Sequence, residues 1–235
     1  MPQRNKWLIP IAIIFAGGLI AFSLFLTTGQ SNNSDPFAGD VSEVDVPGVG
    51  AEDHVLGNPE ARIVFVEYSD FECPFCKEFH QTMHRIIDEY GPTGNVAWVY
   101  RHFPLEQLHS KAPREAEATE CAADLGGNDG FWAYADRLFE VTPSNNGLDL
   151  AELPNIAEEV GLDRTAFEAC LESGVNQSEV EDDFNEARSN AGARGTPHLV
   201  LIIGGEQIAL EGSQPYSTLK EIIEAGLSSG VEAIN

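Results

Sequence analysis

The sequence contains few basic side chains. Among its 235 residues, 13 are Lys or Arg and 38 are Asp or Glu, so the formal charge is −25 at pH 7. A protein that binds nucleic acid through phosphate contacts needs a basic surface, and this deficit argues against such a function. It also argues against docking on anionic lipid through charge. A hydrophobic content of 43% is typical of a folded chain.

Cysteine is also scarce, with four residues in the chain. Four are too few for a miniprotein held together by disulfides, but they suffice for one redox pair and one structural pair. The sequence lacks a phosphate-binding P-loop and a glycine-rich dinucleotide fingerprint. We therefore expect no cofactor, and any redox chemistry is assigned to the cysteines themselves.

Charged residues are absent from residues 7–28, which follow Arg4 and Lys6. About 20 helical residues cross a hydrocarbon core of roughly 30 Å, and the basic flank places the N-terminus inside the cell. The stretch exceeds the usual apolar segment of a signal peptide and lacks a clear cleavage site. We expect residues 1–28 to be an uncleaved single-pass membrane anchor, with a cleaved signal peptide as the alternative. Both place the remaining chain outside the cytoplasm.

Residues 29–50 are rich in Gly, Ser, Asn, Asp and Pro and predict a flexible linker. Residues 51–227 predict one α/β domain, which we expect to be monomeric. Its apolar patterns indicate a strand at 63–68, a helix ending at residues 91–92 and a strand at 96–103. A helical block over about 112–192, a hairpin at 199–211 and a helix at 217–225 follow. Asn176 and Glu179 are spaced as a capping pair.

Cys73 and Cys76 form a Cys-Pro-Phe-Cys motif at the junction of the first strand and the first helix. Pro74 suits the first helical turn. Cys73 is then near free N–H groups and the positive end of the helix dipole, which favour an exposed thiolate. Cys76, one turn later on the apolar side, is expected to be more buried. A C-x-x-C pair beside a β-α-β pattern is typical of dithiol–disulfide exchange.

These cysteines allow two other interpretations. One is a zinc site, because the order and residue types of Cys73, Cys76, His80 and His84 resemble a set of zinc ligands. On one helix they span about 16 Å, so they cannot converge on one ion, and we expect no metal there. The second alternative is a pair of inert buried cysteines.

Three other positions carry potential chemistry. Glu67 lies inside the apolar run 63–68, and burial there raises the pKa of a carboxyl group. We expect Glu67 to exchange a proton with Cys76. The alternative is that Glu67 faces solvent at the end of the strand. Thr196–Pro197 precedes a buried strand and is a candidate cis peptide or an ordinary trans loop. His198 is either a titrating group near the dithiol or a partly exposed residue at the start of the strand.

The segments YSDFECPFCKEFH, YRHFPL, RGTPHLVLIIGG and GNPEARIVFVEYSD together resemble the membrane-associated DsbA-like thiol:disulfide oxidoreductases of the thioredoxin superfamily, over about 55–227. The resemblance implies a thioredoxin fold interrupted by a helical domain at about 112–192. It also implies a role for each site residue. Cys73 is the attacking cysteine, Cys76 is the resolving cysteine and Glu67 is the buried acid. The substrate is contacted by Pro74, Phe75, Thr196 and the cis-proline Pro197.

One departure from the family concerns the residue before the second cysteine. Its best-known members have His there, and this chain has Phe75. A positive partner for the Cys73 thiolate is therefore missing, which weakens the expectation of a strongly oxidising pair. We hypothesise that His198 compensates.

Cys121 and Cys170 lie in the predicted helical block. In an oxidising compartment we expect them to form a structural disulfide, with two free core cysteines as the alternative. Closing a loop of about 50 residues stabilises by roughly 4 kcal/mol in the chain-entropy model.

These observations predict an extracytoplasmic, membrane-tethered thiol:disulfide oxidoreductase that introduces disulfides into exported proteins. The resemblance implies reoxidation by a DsbB- or VKOR-type membrane quinone reductase. One alternative is a disulfide reductase or isomerase using the same dithiol, and another is a binding module that delivers metal through the cysteine pair. Apart from Arg4 and Lys6, the chain has 11 bases and all 38 acids in the part that we expect to be exported. This excess predicts acidic surroundings that oppose the Cys73 thiolate.

Overall fold

The computed structural model describes residues 44–228. The predicted anchor and most of the predicted linker lie outside the described residues. Within residues 44–228, no helix has both the length and the apolar character needed to cross a membrane.

A five-stranded sheet forms the centre of the described part. Its strands are β1 His54–Gly57, β2 Ile63–Ser69, β3 Val96–His102, β4 His198–Ile203 and β5 Glu206–Glu211. They lie in the order β1-β3-β2-β4-β5. β2 and β3 are parallel, and the other neighbouring strands are antiparallel. Every residue of β2 and β3 is buried, because both faces of the sheet are covered. This explains their continuous apolar character.

Six α-helices surround the sheet in the described part. They are α1 Pro74–Tyr90, α2 Ala112–Val141, α3 Leu153–Glu159, α4 Arg164–Ser173, α5 Gln177–Ser189 and α6 Tyr216–Ser228. The block predicted at about 112–192 contains four of them and lies between β3 and β4. Its first helix, α2, is interrupted at Gly127, whose φ of 64° is outside the helical region. Short 3₁₀ turns occupy Gly91–Thr93 and Leu150–Glu152.

Helix α1 follows directly from its sequence. Pro74 occupies the first turn, and buried positions recur three and four residues apart along one face. That face packs into the larger of two apolar cores, with alternate residues of β2 and with α2 to α4 and α6. The smaller core lies on the other sheet face and includes Ala187 of α5. The sheet therefore has one face that carries α1 and the dithiol.

Two features of the fold were not predicted from the sequence. Strand β1 was missed because a four-residue edge strand shows little periodicity. Residues 44–49 also depart from the expected flexible linker. Val46 is buried in the smaller core, and its backbone exchanges two hydrogen bonds of 2.8 Å with the Gln207 side chain. The ordered domain therefore begins before residue 51.

The predicted capping pair at the start of α5 is wrong. The Asn176 side chain makes no capping hydrogen bond. Its Nδ2 instead donates to the Asp124 carboxylate of α2 at 2.9 Å. A tertiary partner therefore displaces the local one.

Candidate active site

Cys73 and Cys76 lie where β2 gives way to α1. Cys73 is the N-cap residue of α1, and its carbonyl accepts the first helical hydrogen bond, from the Lys77 N–H at 3.1 Å. Both thiols are free. Cys76 is fully buried, whereas Cys73 retains 5% exposure. The predicted order of burial is correct, but Cys73 is far less exposed than expected, because the 196–197 loop covers it.

The surroundings of Cys73 favour its thiolate. A hydrogen bond from the Cys76 thiol is the main cause that lowers the pKa of Cys73 to about 6, against partial burial. The Thr196 side chain and the backbone N–H groups of Phe75 and Cys76 add to the effect. The Phe75 and Cys76 N–H groups are free donors of the N-terminus of α1. Together these donors outweigh the effect of partial burial, so Cys73 is mostly ionised at pH 7.

Cys76 has the opposite character. Burial is the main cause that raises the pKa of Cys76 well above its ordinary value, and the neighbouring Cys73 raises it further. Cys76 is therefore a protonated thiol at neutral pH. It needs a proton acceptor when it reacts and a proton donor when it is released.

Glu67 is buried on the same sheet face as the dithiol, so the solvent-facing alternative is wrong. It has no exposed surface, and burial raises the pKa of Glu67 to about 8, although the Ser69 and Trp98 side chains lower it in part. Neither carboxyl oxygen has a direct hydrogen-bond partner within residues 44–228. At pH 7 Glu67 is therefore a mostly protonated acid that can exchange a proton with its surroundings.

Thr196 and Pro197 flank Cys73 from the loop before β4. Their peptide bond is cis. In the thiol form, Cys73 Sγ donates to the Thr196 carbonyl oxygen at 3.4 Å. Pro74 is half-buried, and the Phe75 side chain is 62% exposed. An exposed aromatic ring and a loop backbone thus border the attacking sulfur, as a site for an extended peptide requires.

His198 does not supply a positive charge to Cys73. It is 2% exposed and lies on the opposite sheet face, near Tyr68, where Nε2 donates to the Ala191 carbonyl at 2.9 Å. Burial lowers the pKa of His198, so the ring is neutral at pH 7. Both expectations for His198 are therefore wrong: the partly exposed position and the compensating cation. Side chains along a strand point alternately to the two faces of the sheet. On β4, residue 198 points to the face opposite the dithiol.

Two buried acids behind Cys73 were missed by sequence reasoning. Glu72 accepts hydrogen bonds from the N–H groups of Asn146 and Gly147. Glu115 of α2 faces Glu72, and burial followed by that contact raises the pKa of Glu115 to about 9. Glu115 is therefore protonated at neutral pH. No local pattern links these residues, since α2 brings Glu115 to the site only in the folded chain.

The other two cysteines are joined. Cys121 of α2 and Cys170 of α4 form a disulfide, with Cα atoms 5.8 Å apart and a sequence separation of 49. The alternative of two free core cysteines does not apply. The bond ties two helices of the insertion together and leaves only Cys73 and Cys76 for exchange.

The two cysteines and the two histidines that resemble zinc ligands in the sequence do not come together as one group in the structure. Within residues 44–228, two groups of three potential metal ligands lie close together, and neither contains a cysteine. One of them pairs His80 and His84 with Asp136. The redox pair is therefore separate from the histidines that follow it in the sequence.

Comparison with known proteins identifies the relatives of this chain. The family described as Thioredoxin matches residues 50–225. DsbA2 from Pseudomonas aeruginosa has 31% sequence identity and a TM-score of 0.64, covering 79% of this chain and all of that protein. Oxidised BdbD from Bacillus subtilis, at 21% identity, has a TM-score of 0.68 and covers 80% of this chain and all of BdbD.

The curated relatives include much longer proteins. A protein named Na(+)/H(+) antiporter NhaA 3 from Salinispora tropica is 34% identical over 145 residues, which are 62% of this chain and 21% of the antiporter. Another NhaA, from Herminiimonas arsenicoxydans, is 30% identical over 216 residues, 92% of this chain and 32% of the antiporter. The chain thus spans about a fifth to a third of these proteins.

The fold confirms the expectation of a thioredoxin-like α/β domain with a helical insertion. The family match covers most of the chain, and a DsbA protein aligns over its full length. The chain belongs to the thioredoxin family.

Proposed function

We propose that this protein introduces disulfides into exported proteins through the Cys73–Cys76 pair. The observation that carries the proposal is the asymmetric dithiol: Cys73 at the start of α1, with the buried thiol of Cys76 and the buried acid Glu67 behind it. A stable thiolate favours the reduced pair, so the oxidised pair more readily gives its disulfide away. A change from the ordinary value of 9.0 to about 6 stabilises the reduced form at pH 7 by at most about 1.4 kcal/mol, or about 30 mV.

The reaction begins with the oxidised pair. A substrate thiolate attacks Cys73 Sγ, the more accessible sulfur, and forms a mixed disulfide while the Cys73–Cys76 bond breaks. Cys76 leaves as a thiolate and takes the proton of Glu67. A second substrate thiolate then attacks the substrate sulfur of the mixed disulfide, and Cys73 is released as a thiolate. Two electrons pass from the substrate to the enzyme, and the substrate gains one disulfide.

The same groups serve the return to the oxidised state. Glu67 has lost its proton in the forward reaction. It accepts the proton of Cys76 when the Cys73–Cys76 disulfide forms again. The electrons then pass to an oxidant, which we assign to a quinone-linked membrane protein of the DsbB or VKOR type. The resemblance of the Cys73 and Thr196–Pro197 segments to DsbA-like enzymes supports this partner.

We place the domain outside the cytoplasm, held by residues 1–28 as a single-pass anchor. The uncharged stretch at 7–28, with its basic flank, supports this arrangement. The Cys121–Cys170 disulfide supports it independently, because structural disulfides persist in oxidising compartments.

A reductase or isomerase is the second candidate. The Cys73 pKa of about 6 lies nearer the value of about 7 in thioredoxin than the value of about 3.5 in DsbA. The missing histidine at Phe75 points the same way. The same geometry therefore also suits an enzyme that breaks or rearranges disulfides.

A refolding assay tests the proposal. The oxidised full-length protein in detergent is mixed with a reduced, unfolded disulfide protein under argon, and disulfide formation is followed by mass. We expect one substrate disulfide per enzyme, with none from Cys73→Ala. Catalysed reduction or reshuffling of an oxidised substrate, without net formation, would favour the second candidate. Stoichiometric metal binding by the cysteines without any thiol exchange would overturn both.

A further inference from the structure

His80 and His84 of α1 point their Nε2 atoms at one carboxylate of α2. The Nε2 atoms lie 2.8 and 2.7 Å from Asp136 Oδ1, and 3.1 Å from each other. Residues four apart on a helix share a face, so both rings leave α1 in the same direction. The redox reaction proposed above uses none of these three side chains.

The donor set and its spacing fit a transition metal. In a tetrahedral zinc site with bonds of 2.0–2.2 Å, neighbouring ligand atoms are roughly 3.3 Å apart. The three atoms here need to separate by only a few tenths of an ångström. Two imidazole nitrogens and one carboxylate oxygen are a typical set for Zn²⁺, whereas Mg²⁺ and Ca²⁺ prefer oxygen alone.

The cluster is closed on one side and open on the other. His80 is buried against the rings of Trp98 and Trp132, whose centroids lie 5.2 and 6.4 Å from its own. The side chains of His84 and Asp136 are 31% and 46% exposed. An ion can therefore enter from solvent, and a water molecule can complete the fourth position.

We propose that His80, His84 and Asp136 bind one divalent transition-metal ion, with Zn²⁺ as the best match. The bound ion replaces contacts in which two ring nitrogens approach each other and share one oxygen. It joins α1, the helix of the dithiol, to α2 of the insertion. The strongly negative net charge of the chain adds to the attraction for a cation.

A second group of potential metal ligands is distinguished from this site by the choice of variants. His54, Glu120 and Glu179 also lie close together, but Glu120 Oε1 already accepts from His54 at 2.8 Å and from His102 at 2.6 Å. Any ion bound there remains in variants of His84 or Asp136. Comparison of variants therefore assigns binding to the proposed site even when total stoichiometry exceeds one.

The test is a Zn²⁺ titration of the oxidised full chain in detergent, where the closed Cys73–Cys76 disulfide offers no thiolate. His84→Gln and Asp136→Asn remove one ligand each from an exposed position. Asp129→Asn, an exposed change on the same helix as Asp136, is the matched control. We expect affinity to fall at least about tenfold in both ligand variants and to be unchanged in the control.

Two further readouts accompany the titration. Zn²⁺ raises the Tm of the wild type and of Asp129→Asn by more than it raises the Tm of the ligand variants. In the wild type, Zn²⁺ protects His84 from modification by diethyl pyrocarbonate, a measurement that needs no variant. Equal affinity in all proteins, or unprotected His84 at saturating Zn²⁺, would overturn the proposal.

Discussion

The two thiols of the motif differ in ionisation because each has its own surroundings. Cys73 receives hydrogen bonds from the helix N-terminus and from Cys76, whereas Cys76 is enclosed by apolar side chains. The asymmetry assigns attack to the first sulfur and resolution to the second. It also makes the Cys73 thiolate depend on its partner.

Replacement of Cys76 tests that dependence. In Cys76→Ala we expect the pKa of Cys73 to rise from about 6 by about one to two pH units, because the strongest donor to the thiolate is lost. Cys76→Ser keeps a hydroxyl donor and should retain most of the lowering. The pH dependence of alkylation by iodoacetamide gives each midpoint. An unchanged midpoint in Cys76→Ala would contradict the assigned cause.

Glu67 gives the protein a pH-dependent stability. Burial raises its pKa from 4.5 to about 8, so between these values the folded state holds a proton that the unfolded state has lost. Stability therefore falls as pH rises through this window. Glu67→Gln removes the slope, and we expect it to be more stable than the wild type at pH 8 by on the order of a few kcal/mol.

Urea unfolding of the oxidised proteins at pH 5 and pH 8 measures the Glu67 effect. Glu78→Gln, an exposed change on α1, is the control and should follow the wild type. If Glu67→Gln gained nothing at pH 8 relative to pH 5, Glu67 would be ionised in the fold, and the proton transfer to Cys76 would lose its donor.

At the scale of elements, the insertion is held together by one covalent tie between α2 and α4. The double variant Cys121→Ser with Cys170→Ser opens a loop of 49 residues. We expect a loss of up to about 4 kcal/mol in the chain-entropy model, with a lower Tm. The Cys73 pKa should stay near 6, since its causes lie elsewhere. Unchanged stability in denaturant unfolding would show that the tie is redundant.

Strand β1 ends at Gly57, whose backbone has a φ of 99°. A Cβ there would lie 2.6 Å from the Val96 carbonyl oxygen of β3. We expect Gly57→Ala to destabilise the domain by more than about 1 kcal/mol in urea unfolding. Gly48→Ala, where nothing lies within 4 Å, is the control and should be near neutral. Equal effects would contradict the close packing of β1.

The elements that the sequence predicted correctly carry local signals. β2 and α1 show an apolar run and a three–four spacing, and both were placed within a residue or two of their bounds. β1 is too short for a period. The start of α5 was misread because Asn176 bonds to Asp124, a partner 52 residues away. Local propensity cannot anticipate such contacts.

At the scale of the whole molecule, the site combines near and distant residues. The cysteines and Glu67 lie within ten residues, so the motif and the resemblance to DsbA-like enzymes could predict them. His198 points away from the dithiol because side chains alternate between the two sheet faces along β4. The face that each residue occupies is known only once the strand register is known. The Glu72–Glu115 pair and the proposed metal ligands depend on how α2 packs, which single-sequence patterns do not contain.

The central claim concerns the direction of the exchange, and the reduction potential of the Cys73–Cys76 pair tests it most directly. The oxidised full chain is equilibrated with glutathione buffers at pH 7, and the fraction of free thiols is read by alkylation and mass. A donor of disulfides requires a potential above that of thioredoxin, about −270 mV, and toward that of DsbA, about −120 mV. We predict a value between these limits. A value at or below about −270 mV would contradict the account and identify a reductase.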